Sequence, residues 1–228
     1  MTRSAADYTN ELLNDDCSGV PDNWTNVNTA THTFAGGVMT VTDNGGSSEY
    51  IYKAKATDHE FYIEAKFKYT SWTSTPVVMQ VWAAADAMLI GCLVNATTKS
   101  LYAWDGGGWA DTGKDLVLNT EYVLKMWCDS TDGHWMLDLD GTEYGLYHVG
   151  TNNVPAKFLI GGGTSAALWV QVYDYVLIKD TLKTGTNCQV NIGDAWKPVS
   201  AMQINIGDVW KPVAGMKINI GDAWKTIF

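Results

Sequence analysis

The residues best suited to chemistry lie in one short run, Leu101-Tyr102-Ala103-Trp104-Asp105-Gly106-Gly107-Gly108-Trp109-Ala110-Asp111. Two indoles flank a three-glycine loop, with a carboxylate close to each. A sugar ring offers an apolar face to an indole and hydroxyls to a carboxylate. Trp104, Asp105, Trp109 and Asp111 are therefore candidate carbohydrate-binding residues. The competing use of the same run is structural, a hairpin whose indoles fold back onto the domain or into a subunit contact.

Little else in the chain carries a reaction. His32, His59, His134 and His148 are scattered, with no His-x-x-x-His or His-Glu-x-x-His pair to hold a metal and no Gly-x-Ser-x-Gly elbow to present a nucleophile. Cys17, Cys92, Cys128 and Cys188 have no Cys-x-x-Cys spacing and read as buried thiols. Asp15 and Asp16 near the start could meet Asp174 or Asp180 near the end around Ca²⁺, but no EF-hand spacing supports this. No cofactor is expected.

The elements that must position these residues are strands. Across 228 residues there are 11 Trp, 11 Tyr and 22 Gly with only 18% charged residues, the composition of a β-rich globular chain. Short apolar/polar alternations separated by Gly, Asn and Asp predict strands over 37–42, 49–53, 60–69, 77–83, 87–94, 101–105, 122–128, 134–140, 143–148, 157–161 and 168–178. No amphipathic helix of normal length interrupts them, so the pattern predicts an all-β two-sheet sandwich or barrel. In the clearest strand Phe61, Ile63, Ala65, Phe67 and Tyr69 face a core while Tyr62, Glu64, Lys66 and Lys68 face water. Residues 1–14 carry a weak helical spacing (Ala5, Tyr8, Leu12) and read as an N-terminal arm.

The last 41 residues repeat with a period of 14, starting at Cys188, Met202 and Met216. Each copy holds a short alternation, a Gly-Asp turn signal and a second short strand, the chemistry of a β-hairpin. A two-residue loop sets Ile206 opposite Val209 and a three-residue loop sets it opposite Trp210; the sequence allows both. Three hairpins are too small a unit to fold without cover. Ile192, Trp196, Ile204, Ile206, Trp210, Ile218, Ile220 and Trp224 are the expected assembly residues, buried by self-association, with a homotrimer as one form, or by docking on another protein; the alternative is stacking of copy on copy within the chain. The expected division is an arm at 1–14, a sandwich at 15–181, a linker at 182–187 and the repeats at 188–228.

Charge separates these parts. The chain carries −10; four Lys against three Asp give the repeats +1, which leaves −11 for residues 1–187. With Arg3 its one arginine, the chain is not expected to bind nucleic acid. The N-terminal residues lack the apolar stretch of a signal peptide, and no apolar run is long enough to cross a membrane, so synthesis in a cytoplasm without membrane insertion is expected.

Several stretches resemble the concanavalin A-like (laminin G-like) jelly roll between about Asp15 and Asp180. They are the opening from Asp15 to Val27, Phe34 to Thr42, Phe61 to Tyr69, Tyr122 to Gly141, and Trp169 to Asp180; Cys17 departs from the aromatic usual at that place. The resemblance implies a two-sheet jelly roll. Retaining glucanases of that fold carry a Glu-x-Asp-x-x-Glu run, and the nearest stretch here, Glu60 to Glu64, lacks its central Asp and its spacing. A hydrolase is therefore not expected. The tail separately resembles short Gly-x-Trp-Lys hairpin repeats at the ends of tailed-bacteriophage virion proteins. Together these imply a non-enzymatic protein of a virion surface, on the head or a tail fibre, attached to capsid or tail proteins through its repeats. The alternative is a freestanding lectin-like module that binds a host-surface glycan.

Overall fold

The computed structural model describes residues 3–19, 24–43, 50–54, 60–73, 75–83, 87–129, 133–150, 154–162 and 169–182, and, within the tail, the backbone of 189–192, 195–198, 203–206, 209–212, 217–220 and 223–226. Two compact units result, residues 1–182 and 183–228. Among the described residues the first holds fifteen strands: β1 (Tyr8–Asp15), β2 (Thr25–Val27), β3 (Thr31–Ala35), β4 (Val38–Thr42), β5 (Tyr50–Ala54), β6 (Phe61–Trp72), β7 (Val77–Ala83), β8 (Met88–Val94), β9 (Ser100–Trp104), β10 (Trp109–Asp115), β11 (Tyr122–Asp129), β12 (His134–Leu139), β13 (Thr142–His148), β14 (Pro155–Ile160) and β15 (Trp169–Leu182). One sheet runs β13-β12-β11-β6-β15-β4-β3, with β1 also paired to β15; the other runs β10-β9-β8-β7-β14-β5-β2. Every pairing is antiparallel. This is the expected all-β sandwich, and all eleven predicted strands are present.

Alternation builds the core. Phe61, Ile63, Ala65, Phe67 and Tyr69 of β6 meet Met79, Val81 and Ala83 of β7, Ile51 of β5, and Phe158 and Ile160 of β14 in one buried cluster. Three buried donors on core aromatics find partners across the gap between the sheets. Tyr69 donates its hydroxyl to the Val77 carbonyl at 2.9 Å, Tyr173 to that of Val78 at 2.8 Å, and Trp135 its Nε1–H to that of Trp104 at 2.8 Å. Cys17, Cys92 and Cys128 are buried thiols outside any disulfide, as expected, and burial, with Asp15 adding to it, pushes the Cys17 thiol up to about 12. Cys188 lies outside the described residues.

Two features of the first unit differ from the sequence reading. Residues 5–7 form one 3-10 turn and residues 8–15 form β1, which extends the sheet along β15. The spacing of Tyr8 and Leu12 suits a helix, but partner residues from Val176 to Leu182 offer a ladder, with one register shift between Glu11 and Leu13, that a lone eight-residue helix cannot match. Nor does the other face of β6 simply meet water. Tyr62 is 1% exposed and packs with Tyr8 (2%) and Trp127 (2%) in a second small cluster edged by Ala5, Met136 and Leu177.

The second unit contains three hairpins: β16 (Gln189–Ile192) with β17 (Ala195–Pro198), β18 (Gln203–Ile206) with β19 (Val209–Pro212), and β20 (Lys217–Ile220) with β21 (Ala223–Thr226). Ile206 pairs with Val209, so the loop has two residues, and Trp210 stands opposite Asn205, out of step with Ile204 and Ile206. Ile192 and Trp196, and Ile220 and Trp224, repeat these register positions.

Tyr8 tests the second cluster. Its hydroxyl is buried without a partner, so Tyr8→Phe is expected to leave stability unchanged or slightly raised, whereas Tyr8→Ala is expected to cost about 3 kcal/mol in urea unfolding, as for other buried aromatics. A cost below about 0.5 kcal/mol for Tyr8→Ala, the range of surface sites, would return the residue to a loose arm.

Candidate functional site

The run singled out from sequence forms the β9–β10 hairpin. Leu101 and Ala103 belong to the core, so alternation turns Tyr102 and Trp104 to the outer face of the seven-stranded sheet. Trp109 pairs with Trp104 and Asp111 with Tyr102, placing both on that face. The two indoles meet edge to face, 5.3 Å between centroids, and each is half-buried. Trp104 partly fulfils the structural reading: it packs against the core, and its Nε1 is buried without a partner. A Cβ at Gly150 would lie 2.7 Å from that nitrogen and 2.4 Å from the Met88 carbonyl oxygen, so this approach requires glycine. Trp109 lies on β10, the edge strand of that sheet.

The loop is held from the other sheet. Asp105 Oδ1 accepts the His148 backbone N–H at 2.7 Å and lies 2.8 Å from His148 Nδ1. Gly106 has φ +67, and a Cβ there would be 3.1 Å from that of His148; nothing comes within 4 Å of a Cβ at Gly107 or Gly108. Asp111 accepts the Gly113 N–H at 2.8 Å and is exposed. The histidines are less scattered than the sequence suggested: His134 pairs with His148 across β12 and β13, with ring centroids 4.6 Å apart. The Asp140-Gly141 turn midway between them was the available signal.

The sequence reading missed a second aromatic group on the same face. Tyr50 lies 6.2 Å from Tyr52 and 5.7 Å from Trp82, centroid to centroid, and Lys157 Nζ sits 5.8 Å from the centre of the Tyr52 ring. Trp82 Nε1–H donates to Gln80 Oε1 at 2.9 Å. Alternation with buried Ile51 and Val81 was the signal for their facing.

The remaining candidates are engaged elsewhere. Glu64 accepts hydroxyls from Tyr62 and Tyr175, both at 2.5 Å, on the other sheet, so it is a tied carboxylate rather than a freely solvated one. Asp15 accepts from Trp24 Nε1 and the Cys17 N–H, Asp16 from the Ser18 N–H, Asp174 pairs with Lys66, and Asp180 accepts from Asn10. Among the described residues no group of three His, Cys, Asp or Glu side chains is placed to hold a metal ion.

No family model and no curated protein matches the chain. Solved structures do match in fold. A sialidase superposes with a TM-score of 0.63 at 10% identity over 77% of this chain and 19% of its own. A Bacillus subtilis protein of unknown function with a galectin-like fold gives 0.57 at 9% identity, covering 77% of this chain and 98% of that one. The cellulose-induced protein Cip1 gives 0.53 at 12% identity, covering 74% and 97%. The chain thus spans about a fifth of the length of that sialidase. These likenesses define the class as a jelly-roll sandwich of galectin-like form. They do not reach the narrower laminin G-like and phage-repeat resemblances.

The Asp105 link gives a pH test. Its carboxyl is held below the ordinary carboxylate range, first by the His148 backbone N–H and then by the His148 side chain. A lowered folded pKa means stabilisation that is present above the unfolded value of about 4 and lost as pH falls through the folded value. The Tm gap between the protein and Asp105→Asn is expected to close on acidification below about pH 4. A gap undiminished at the lowest pH would exclude the carboxylate charge as its cause.

Proposed function

We propose that the sandwich is a non-enzymatic carbohydrate-binding module that stacks a sugar ring on Trp109, with Trp104 fixing the indole from behind and Asp111 accepting hydroxyls. The observation that carries this reading is the Trp104–Trp109 pair, held on an outer sheet face with Asp111 two register pairs along on the same face. A ring already ordered by packing loses little entropy on binding, which favours stacking on it. The sialidase, galectin-like and cellulose-induced names of the fold neighbours are in keeping with glycan recognition, by analogy only. No pair of free carboxylates faces a common cleft among the residues named above, which supports binding rather than hydrolysis.

The second reading makes this module a virion surface protein of a tailed phage, self-associated as a trimer or attached to capsid or tail through its tail. It is favoured by one observation, three hairpins with the same register and loop length. Short two-stranded hairpins are marginal alone and call for a partner surface.

Two measurements check these readings. Trp109→Ala is expected to abolish retention on immobilised glycan with little change in Tm; a large loss of stability would assign the ring to packing. Light scattering of the full chain is expected to give a trimer or larger and of a chain ending at Thr186 a folded monomer. Two equally stable monomers would remove self-association through the tail.

A further inference from the structure

The two aromatic groups on the outer face are ends of one row. Trp109 pairs with Trp104; one step along from Cys92↔Ala103, Trp104 stands beside Gly91. Gly91 pairs with Gln80, Gln80 with Leu159, and Leu159 with Tyr52. The row therefore crosses β10, β9, β8, β7, β14 and β5 at one level, indole at one end and phenol at the other.

Its middle is low. Gly91 has no side chain, and a Cβ there would come within 2.7 Å of Gln80 Cγ. Leu159 is 1% and Gln80 8% exposed although neither belongs to the core between the sheets. By register this row is a shallow trough with aromatic ends, Trp104 and Trp109 at one and Tyr50, Tyr52 and Trp82 at the other. Four interstrand steps separate β9 from β5, about 19 Å at the usual spacing. That length is far more than one sugar ring needs.

Resting on the carbohydrate reading above, we infer that this trough binds a linear, uncharged polysaccharide laid across the strands, with one ring on Trp109 and another, several residues along, on the Tyr52–Trp82 wall. Gln80 spends its Oε1 on Trp82, which leaves its amide N–H groups as floor donors to a neutral hydroxyl or ring oxygen. The wall's Lys157 ammonium lies against the Tyr52 ring. With −11 on residues 1–187 against +1 on the tail, the sandwich repels an anionic polymer, which separates this class from acidic glycans.

The test is an array bearing two-, four- and six-residue members of neutral glucan, xylan and mannan series beside sialylated and uronate oligosaccharides, probed with the full chain and followed by calorimetry on any series that binds. Within one neutral series, affinity is expected to rise at least tenfold from two residues to six. Trp82→Ala is expected to bring the six-residue ligand down to the affinity of the shortest while leaving the shortest unchanged, and Trp109→Ala to weaken both. Tyr52→Ala repeats the comparison if Trp82→Ala does not fold. Equal affinity at all lengths, or a neutral Trp82→Ala, overturns the extended trough but leaves sugar binding at Trp109. Binding only to acidic members overturns the neutral class. Silence across the array overturns both this inference and the reading on which it rests.

Discussion

The antiparallel ladder between β6 and β15 is the constraint on which the rest of the structure depends. It runs from Trp169↔Trp72 to Asp180↔Phe61, through two register shifts. The opposite edge of β15 is shared by β4 at its start and β1 at its end, so both ends of the sandwich's chain are closed on one strand. A strand with partners on both edges has no freedom to slip, since one residue of slip would turn every core side chain outward. Tyr69 and Tyr173 stand on this ladder, and their hydroxyls reach Val77 and Val78 of the other sheet. The register of one sheet is thereby passed to β7, the strand from which Gln80 and Trp82 project. An outer-face row is ordered because an inner-face ladder is.

Much of this was legible because period-two alternation is a local signal. The eleven strands read from sequence all have an apolar face. The four not read, β1, β2, β3 and β10, are short or lie at edges, where selection for an apolar row is weak: Trp109 to Asp115 has a glycine, a lysine and two aspartates in seven residues, a guarded edge. Trp104 and Trp109 could be read as a pair since only five positions separate them. Tyr52 and Trp82 could not, because β14, a strand more than seventy residues beyond Trp82, lies between theirs. The same limit hid the burial of Tyr62 and Trp127, which requires the N-terminal turn to lie over them. In the tail the loop length was open because either register satisfies so short an alternation; the ladder selects two residues.

Trp104 shows why packing and binding need not compete for one side chain. Its carbonyl accepts from Trp135, its Nε1 is closed against Gly150, and its ring meets that of Trp109 at a steep angle. The closed nitrogen is a cost, since a buried donor without a partner forfeits about 1–3 kcal/mol. A fold under no other demand removes that cost with a phenylalanine. Retaining the larger indole extends the surface against which Trp109 rests, which is sensible where the second ring must stay put to receive a ligand.

The two units make different contributions to the proposed function, and their combination follows from the strength of each contact. Stacking and a few hydroxyl hydrogen bonds on a solvent-facing sheet give weak binding, because each polar contact exchanges one made with water. A polysaccharide repeats its epitope, so several troughs held together can engage one polymer or one surface at once. Joining them through the tail converts later contacts into intramolecular ones, with gains of roughly 10²–10⁴ in avidity and no new contact in any trough. This requires tail linkage to leave the outer sheet face uncovered, and it makes oligomeric state and glycan retention coupled properties. A weak trough on a monomer would serve poorly as an adhesive, whereas the same trough in several copies would serve well.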